Sequence, residues 1–149
     1  MSLDLVIRPA GRADLPAVLA LYAQPDFDAG QVLDLPAAER LFDRFAAYPN
    51  YVLYVALQGE AVVGTFALLV MDNLGHRGTP SAVMEDVVVA QAAQGSGVGR
   101  AMVAQAIALC RDKGCYKLAL SSNLRRERAH AFYEALGFER HGYSYRILL

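Results

Sequence analysis

A chain of 149 residues, 55% hydrophobic and 19% charged, can bury one sizeable core and is too short for two ordinary domains. That balance excludes an intrinsically disordered or coiled-coil protein. With 14 basic against 15 acidic residues the formal net charge is −1, which argues against non-specific nucleic-acid binding, since that needs a basic face.

Residues 3–8 alternate like a strand that stops at Pro9. A helix begins near Asp14, with Pro16 in its first turn, where a missing N–H costs nothing, and Leu15, Val18, Leu19 and Tyr22 at helical spacing. Residues 24–30 read as a loop. Its Asp26 and Asp28, like Glu60 further on, could receive a cationic amine but read first as solvated loop acids. A second helix, 37–48, carries Leu41, Phe42 and Phe45 on one face, and residues 51–57 and 61–71 flank Gln58-Gly59-Glu60 as a hairpin. Residues 72–80, with two glycines and a proline, form a loop.

The run 83–90 is nearly continuous in apolar residues, as expected of a strand buried on both faces, and it is led by Glu85 and Asp86. Strand alternation sends these two acids to opposite sides unless a bulge resets the phase. Glycines 95, 97 and 99 then open a helix with Met102, Val103, Ala106, Ile107 and Cys110 on its apolar face, ending at Lys113-Gly114. Residues 116–121 alternate as the next strand. The helix 126–136 buries Ala129, Phe132, Tyr133 and Leu136, Gly137 stops it, Phe138 packs back, and residues 141–148 make a last strand. The order of strand, two helices, three strands, helix, strand, helix, strand fits an α+β, three-layer α/β sandwich forming one domain over residues 1–149.

The junction of strand, glycine loop and helix carries the functional signal. Backbone N–H groups at a helix N-terminus lack intrahelical partners and sit at the positive end of the macrodipole, and glycine lets a phosphate come close. The spacing rules out two common phosphate loops. A dinucleotide fingerprint counted from Gly95 would need glycine where Arg100 stands, and no Gly-Lys-Ser/Thr closes a Walker loop. What remains, Gln94-x-x-Gly97-x-Gly99 after Glu85-Asp86-Val87-Val88-Val89, resembles the acyl-CoA pyrophosphate loop of the GNAT superfamily of N-acetyltransferases. The stretch from Cys115 to Leu120 resembles that family's next strand, and Ala129-His130-Ala131-Phe132-Tyr133 its following helix. Glu-Asp-Val-Val-Val and Gly-Cys-Tyr-Lys are distantly similar to the glucosamine-6-phosphate N-acetyltransferase branch.

The resemblance implies a mixed sheet whose fourth and fifth strands splay apart to admit the pantetheine arm. Val87, Val88 and Val89 would pair with the pantetheine amides like an added strand, and Gln94, Gly95, Ser96, Gly97, Val98, Gly99 and Arg100 would hold the pyrophosphate. Many members carry an asparagine three residues before the position of Ala129. Here Arg126 stands there, with Asn123 three residues earlier, so either could make the contact near the thioester. Glu85 matches the family's base or substrate ligand. An amine with pKa near ~10.4 is almost wholly protonated at neutral pH, so a base is useful. Tyr133 matches the tyrosine to which the family often gives the role of acid, protonating the departing thiolate.

The expected activity is transfer of acetyl from acetyl-CoA, as cosubstrate, to a primary amine of a small molecule, by direct attack in a ternary complex. A non-catalytic acyl-CoA-binding or regulatory module, or a protein or peptide N-acetyltransferase, is the alternative. Cys110 and Cys115 show no metal-ligand spacing and read as small buried hydrophobes rather than nucleophiles, and no metal is expected. The N-terminus lacks the basic and apolar stretches of a signal peptide, and no apolar run approaches the ~20 residues of a membrane helix, so neither membrane nor nucleic acid is an expected partner and the expected compartment is the cytoplasm. A homodimer stays open.

Overall fold

In the computed structural model, which describes residues 4–149, the alternating runs of the first two-thirds of the chain pair into one sheet. Strands β1 (Leu5–Pro9), β2 (Tyr51–Gln58), β3 (Ala61–Met71) and β4 (Ser81–Val89) are antiparallel neighbours in chain order, and β5 (Leu118–Ala119) joins β4 in parallel, so the sheet is mixed. Leu3, the expected start of the first strand, lies outside the described residues. The helices are α1 (Leu15–Tyr22), α2 (Leu35–Phe45), α3 (Val98–Asp112) and α4 (Glu127–Ala135). The chain forms two compact units, Met1–Ala119 and Leu120–Leu149.

In the first unit, strand alternation distributes the helices over both faces of the sheet. Leu53, Val55 and Ala67 share a buried cluster with Leu15 and Val18 of α1, with Phe42 and Phe45 of α2 packed against it. Gly64 points the other way. A Cβ there would stand 2.8 Å from the Met102 sulfur and 3.1 Å from a Val98 methyl, so α3 lies almost directly on the β3 backbone. A side chain there would oblige Met102 to shift, so glycine gives α3 its close seat on the sheet. Helix on one face, sheet, helix on the other is the expected three-layer arrangement.

Local chemistry moves several boundaries. Helix α2 starts two residues early because the Asp34 carboxylate accepts the Ala37 N–H at 2.8 Å and Pro36 occupies the first turn. It stops at Phe45 rather than Tyr48, and Asn50, with φ 56°, turns the chain into β2. Before α1, Asp14 takes two hydrogen bonds from the Arg8 guanidinium, at 2.7 and 3.0 Å, and one from the Gly11 N–H at 2.7 Å, tying β1 to the helix start.

Two expected strands are corrected. Only Leu118 and Ala119 of residues 116–121 pair, with Ala82 and Val83, so among the described residues the remainder of β4 has no ladder on that side. In the second unit, residues 141–148 form no strand. Tyr143, Tyr145 and Ile147 do alternate, but a strand is defined by a hydrogen-bonded neighbour as well as by side-chain pattern, and this segment has none among the described residues. Helix α4 is half-buried rather than buried along its apolar face.

Candidate active site

The strand that carries the acids is not regular. Ala67 pairs with Glu85 and Thr65 with Val88, so Asp86 and Val87 together face the single residue Phe66, and Asp86 adopts φ 51°. This is a β-bulge, and it resets the side-chain phase. Simple alternation would bury Asp86 beside Met84 and Val88. Instead Met84 and Val88 are buried while Glu85 and Asp86 are both exposed. The bulge left open by the sequence is therefore present: Asp86 shares its place with Val87 opposite Phe66, Glu85 stands opposite Ala67, and simple alternation no longer sets the phase of this strand.

The two carboxylates keep company with aromatic side chains and one loop acid. Burial, and secondarily Asp86, raises the Glu85 pKa; burial, and secondarily Asp28, raises that of Asp86. Tyr51 is raised by burial and then by Asp86 and Glu85, and Tyr22 by burial and then by Asp86. Each effect has the same origin: partial desolvation and accumulated negative charge disfavour a further anion. Asp28 reaches this region because the loop after α1 folds tightly, with the Asp28 N–H on the Tyr22 carbonyl at 2.9 Å and Phe27 stacked on Tyr22 at 4.9 Å. A carboxylate with a raised pKa is a better proton acceptor, and the group as a whole attracts cations.

Beyond the bulge, β4 leads to a site suited to phosphate. The Ala90 N–H bonds the Val63 carbonyl at 2.8 Å, so the intervening Val89 turns its own N–H and C=O away from β3, towards the edge that β5 leaves unpaired. A tight turn at Gln91–Ala93 follows, in which the Ser96 hydroxyl donates to the Ala93 carbonyl and the Gln94 amide donates to the Val89 carbonyl at 3.4 Å. Gly97 caps α3 with φ 96°, a conformation that β-branched residues avoid, and offers no side-chain cap to the helix. The first N–H groups of α3, from Val98, Gly99 and Arg100, therefore have no intrahelical partner, and Val98, 1% exposed, anchors them. Uncapped donors at the positive end of a 15-residue helix fit the pyrophosphate of a coenzyme A thioester.

The second unit holds the remaining expected residues. Asn123 spends its side-chain carbonyl on the Arg125 N–H at 2.9 Å, and its backbone carbonyl accepts from the Arg126 N–H at 3.0 Å and from the His130 ring at 2.7 Å. It builds the turn that starts α4. Arg126 is the N-cap residue and is exposed. Tyr133 is half-buried between Phe132 and Phe138, at ring distances of 5.2 and 5.7 Å. Burial raises its phenol pKa, and the Arg126 charge works in the opposite direction.

Comparison with known proteins decides the family. The acetyltransferase (GNAT) family pattern matches residues 16–138. The chain belongs to the GNAT family of acetyltransferases. It is 35% identical over 132 residues to an aminoglycoside N(6')-acetyltransferase type 1 of Stenotrophomonas maltophilia, covering 88% of this chain and 86% of that one. It is also 35% identical over 86 residues to a glucosamine 6-phosphate N-acetyltransferase of Trypanosoma brucei brucei, a stretch covering 58% of this chain and 56% of that protein. A solved structure from Agrobacterium tumefaciens str. C58, provisionally described as an acetyltransferase, superposes with a TM-score of 0.90 at 33% identity, covering 97% of this chain and 99% of that one.

As a GNAT protein the chain is an acetyl-CoA-dependent acetyltransferase, and its fold is that of acyl-CoA N-acyltransferases. The first unit brings Glu85, Val87, Val88, Val89 and the Gln94 to Arg100 loop onto one strand and the helix that follows it. Tyr133 lies on α4, and Arg126 at its N-cap, in the second unit. Sequence reasoning passed over Asp86, Tyr22 and Tyr51 as parts of the acidic region. The side taken by Asp86 depended on whether β4 carries a bulge, and only the register of β3 against β4 reveals it. No helix among the described residues is long and apolar enough to cross a membrane.

Proposed function

We propose that residues 1–149 act as one N-acetyltransferase domain that transfers acetyl from acetyl-CoA to a primary amine of a small cationic molecule, in the cytoplasm, by direct attack with both substrates bound. The observation that carries this reading is the bulge at Asp86: two exposed carboxylates with raised pKa values stand on the strand that leads to an uncapped helix N-terminus. In the proposed reaction the amine nitrogen bonds the thioester carbonyl carbon and the carbon–sulfur bond breaks. Glu85 takes the amine proton and Tyr133 protonates the leaving thiolate, releasing acetylated amine and free coenzyme A. Val87 to Val89 would pair with the pantetheine amides, and Gln94 to Arg100 would hold the pyrophosphate. Arg126 would favour proton release from Tyr133, against the burial that opposes it. A buried thiol relay has little support, since burial and then Cys115 push the Cys110 thiol up to about 11, leaving it protonated at neutral pH.

The acceptor follows from charge. Asp28, Glu85 and Asp86 favour a molecule with several amines over one bearing a phosphate, so among the acceptors named for similar proteins an aminoglycoside-type polyamine fits the first unit better than a sugar phosphate. Free coenzyme A release measured against aminoglycosides, linear polyamines, glucosamine 6-phosphate and amine-terminated peptides tests this. Turnover of the polycations is expected. Exclusive turnover of the sugar phosphate would reverse the acceptor assignment, and no turnover with any amine, despite acetyl-CoA binding, would leave the regulatory-module alternative.

A further inference from the structure

Gln24 follows α1, and its backbone is locked into the loop that carries Asp28. Its carbonyl accepts from the Phe27 and Ala29 N–H groups, both at 3.1 Å, and its own N–H bonds Leu21 at 3.2 Å. The side chain leaves this loop and bridges two points 65 and 67 positions away. The Gln24 amide nitrogen donates to the Val89 carbonyl at 3.1 Å, and its amide oxygen accepts the Gln91 N–H at 2.8 Å. Only a primary amide offers a donor and an acceptor at that separation on a side chain of this length.

We propose that Gln24 is a positioning residue for acetyl-CoA: by holding the Val89 carbonyl and the Gln91 N–H together it sets the corner between β4 and the glycine loop, and it links that corner to the acidic loop. The inference rests on the acetyl-CoA reading given above. Two consequences follow. With the Val89 carbonyl engaged by Gln24 and, at 3.4 Å, by Gln94, the Val89 N–H is the group left to recognise a pantetheine amide, through an amide carbonyl of the cosubstrate. In addition, the loop bearing Asp28 and the loop leading to the pyrophosphate site share one clamp, so ordering either favours the other, and coupling of this kind is reciprocal.

The test compares wild type with Gln24→Glu and Gln24→Ala. Glutamate keeps the acceptor for Gln91 but sets an anion against the Val89 carbonyl, whereas alanine removes both bonds. Calorimetry with acetyl-CoA should show a dissociation constant raised about 5- to 20-fold in both variants, the size expected for losing one or two hydrogen bonds. The KM for acetyl-CoA should rise in parallel, while kcat at saturating acetyl-CoA stays within about threefold of wild type, because Gln24 touches no reacting atom. Amide exchange at Gln91 should accelerate in Gln24→Ala and stay protected in Gln24→Glu. If Gln24→Ala does not fold, the near-isosteric Gln24→Glu carries the comparison. Lowered thermal stability with unchanged acetyl-CoA affinity would make Gln24 a merely structural residue and overturn the inference. Wild type that fails to bind acetyl-CoA would instead overturn the cosubstrate reading, and the inference with it.

Discussion

Strand β4 with its glycine loop and helix α4 with its tail hold their functional side chains in different ways. Around the bulge, Met84 and Val88 are 2% and 5% exposed and the strand is paired along β3, so backbone register sets the positions of Glu85 and Asp86. On α4 no side chain is fully buried, Tyr133 sits between two phenylalanine rings, and Tyr143 and Tyr145 beyond it are each 89% exposed. The lesson is a division of labour. On the sheet, geometry is fixed by hydrogen bonds that a side-chain substitution leaves in place. On the helix, the reactivity of Tyr133 depends on local burial and one neighbouring charge.

Substitution of the tyrosine tests the helix side most severely. Tyr133→Phe removes only a hydroxyl, so affinity for acetyl-CoA should persist while kcat falls by ~10² to 10⁴, the range for losing a positioned acid. Pre-steady-state mixing with acetyl-CoA alone should give no acetylated protein by intact mass, because direct attack needs both substrates. A kinetically competent adduct on Cys110 or Cys115 would replace this mechanism with a two-step route. Wild-type turnover in Tyr133→Phe would leave the residue as packing only.

On the sheet side the corresponding change is Glu85→Gln. Its pKa is raised by burial and by Asp86, so the wild-type acid limb of kcat/KM should lie above the ordinary glutamate value of ~4.3. Below that limb the carboxyl is protonated and cannot accept the amine proton. The variant should lose ~10²-fold or more near neutral pH and recover as the amine deprotonates unaided towards pH ~10. A defect that is constant across pH would show that Glu85 positions the amine without taking its proton.

The phosphate loop should respond less strongly. Gly97→Val forces a β-branched residue into φ 96° and disturbs the first N–H donors of α3, weakening acetyl-CoA binding by ~1 to 3 kcal/mol by calorimetry. Unchanged affinity in a folded variant would remove the helix N-terminus from the cosubstrate site.

How legible these two regions were in the sequence follows from the same contrast. Glycine spacing, the helix after it and the apolar run before it are local patterns, and they led to the loop, to α3 and to the resemblance that the family match bears out. The bulge is not local. Whether Asp86 and Val87 face one residue or two is decided by pairing with β3, and no alternation rule in β4 itself encodes it. The same holds for Gly64, whose crowding comes from the Met102 and Val98 side chains of a helix that begins 34 positions later. The final strand failed for the opposite reason, because Tyr143, Tyr145 and Ile147 have the pattern without a ladder.

The smallest expected effect concerns the frame beneath the sheet site and separates stability from chemistry. Asp14 is hydrogen-bonded by both guanidinium nitrogens of Arg8 and by the Gly11 N–H, and the Arg8 bonds, chiefly, hold its carboxyl below the usual aspartate range. A carboxylate with a depressed folded pKa contributes stability above the unfolded value of ~3.9 and loses it as pH falls through the folded one. Because Arg8 is 43% exposed, the pair is partly screened by water, and Asp14→Asn should cost about 1 kcal/mol at pH 7, or about 2–4 °C in Tm. Wild type and variant should converge only as pH falls through that depressed folded value, where the Asp14 carboxyl takes up its proton and both side chains are uncharged. Turnover at 25 °C should stay near wild type, since the ion pair joins β1 to the start of α1 and touches neither the bulge nor the glycine loop. A large loss of activity without loss of stability would show that α1 and its following loop transmit strain to the acids on β4, and the separation between frame and site would fail.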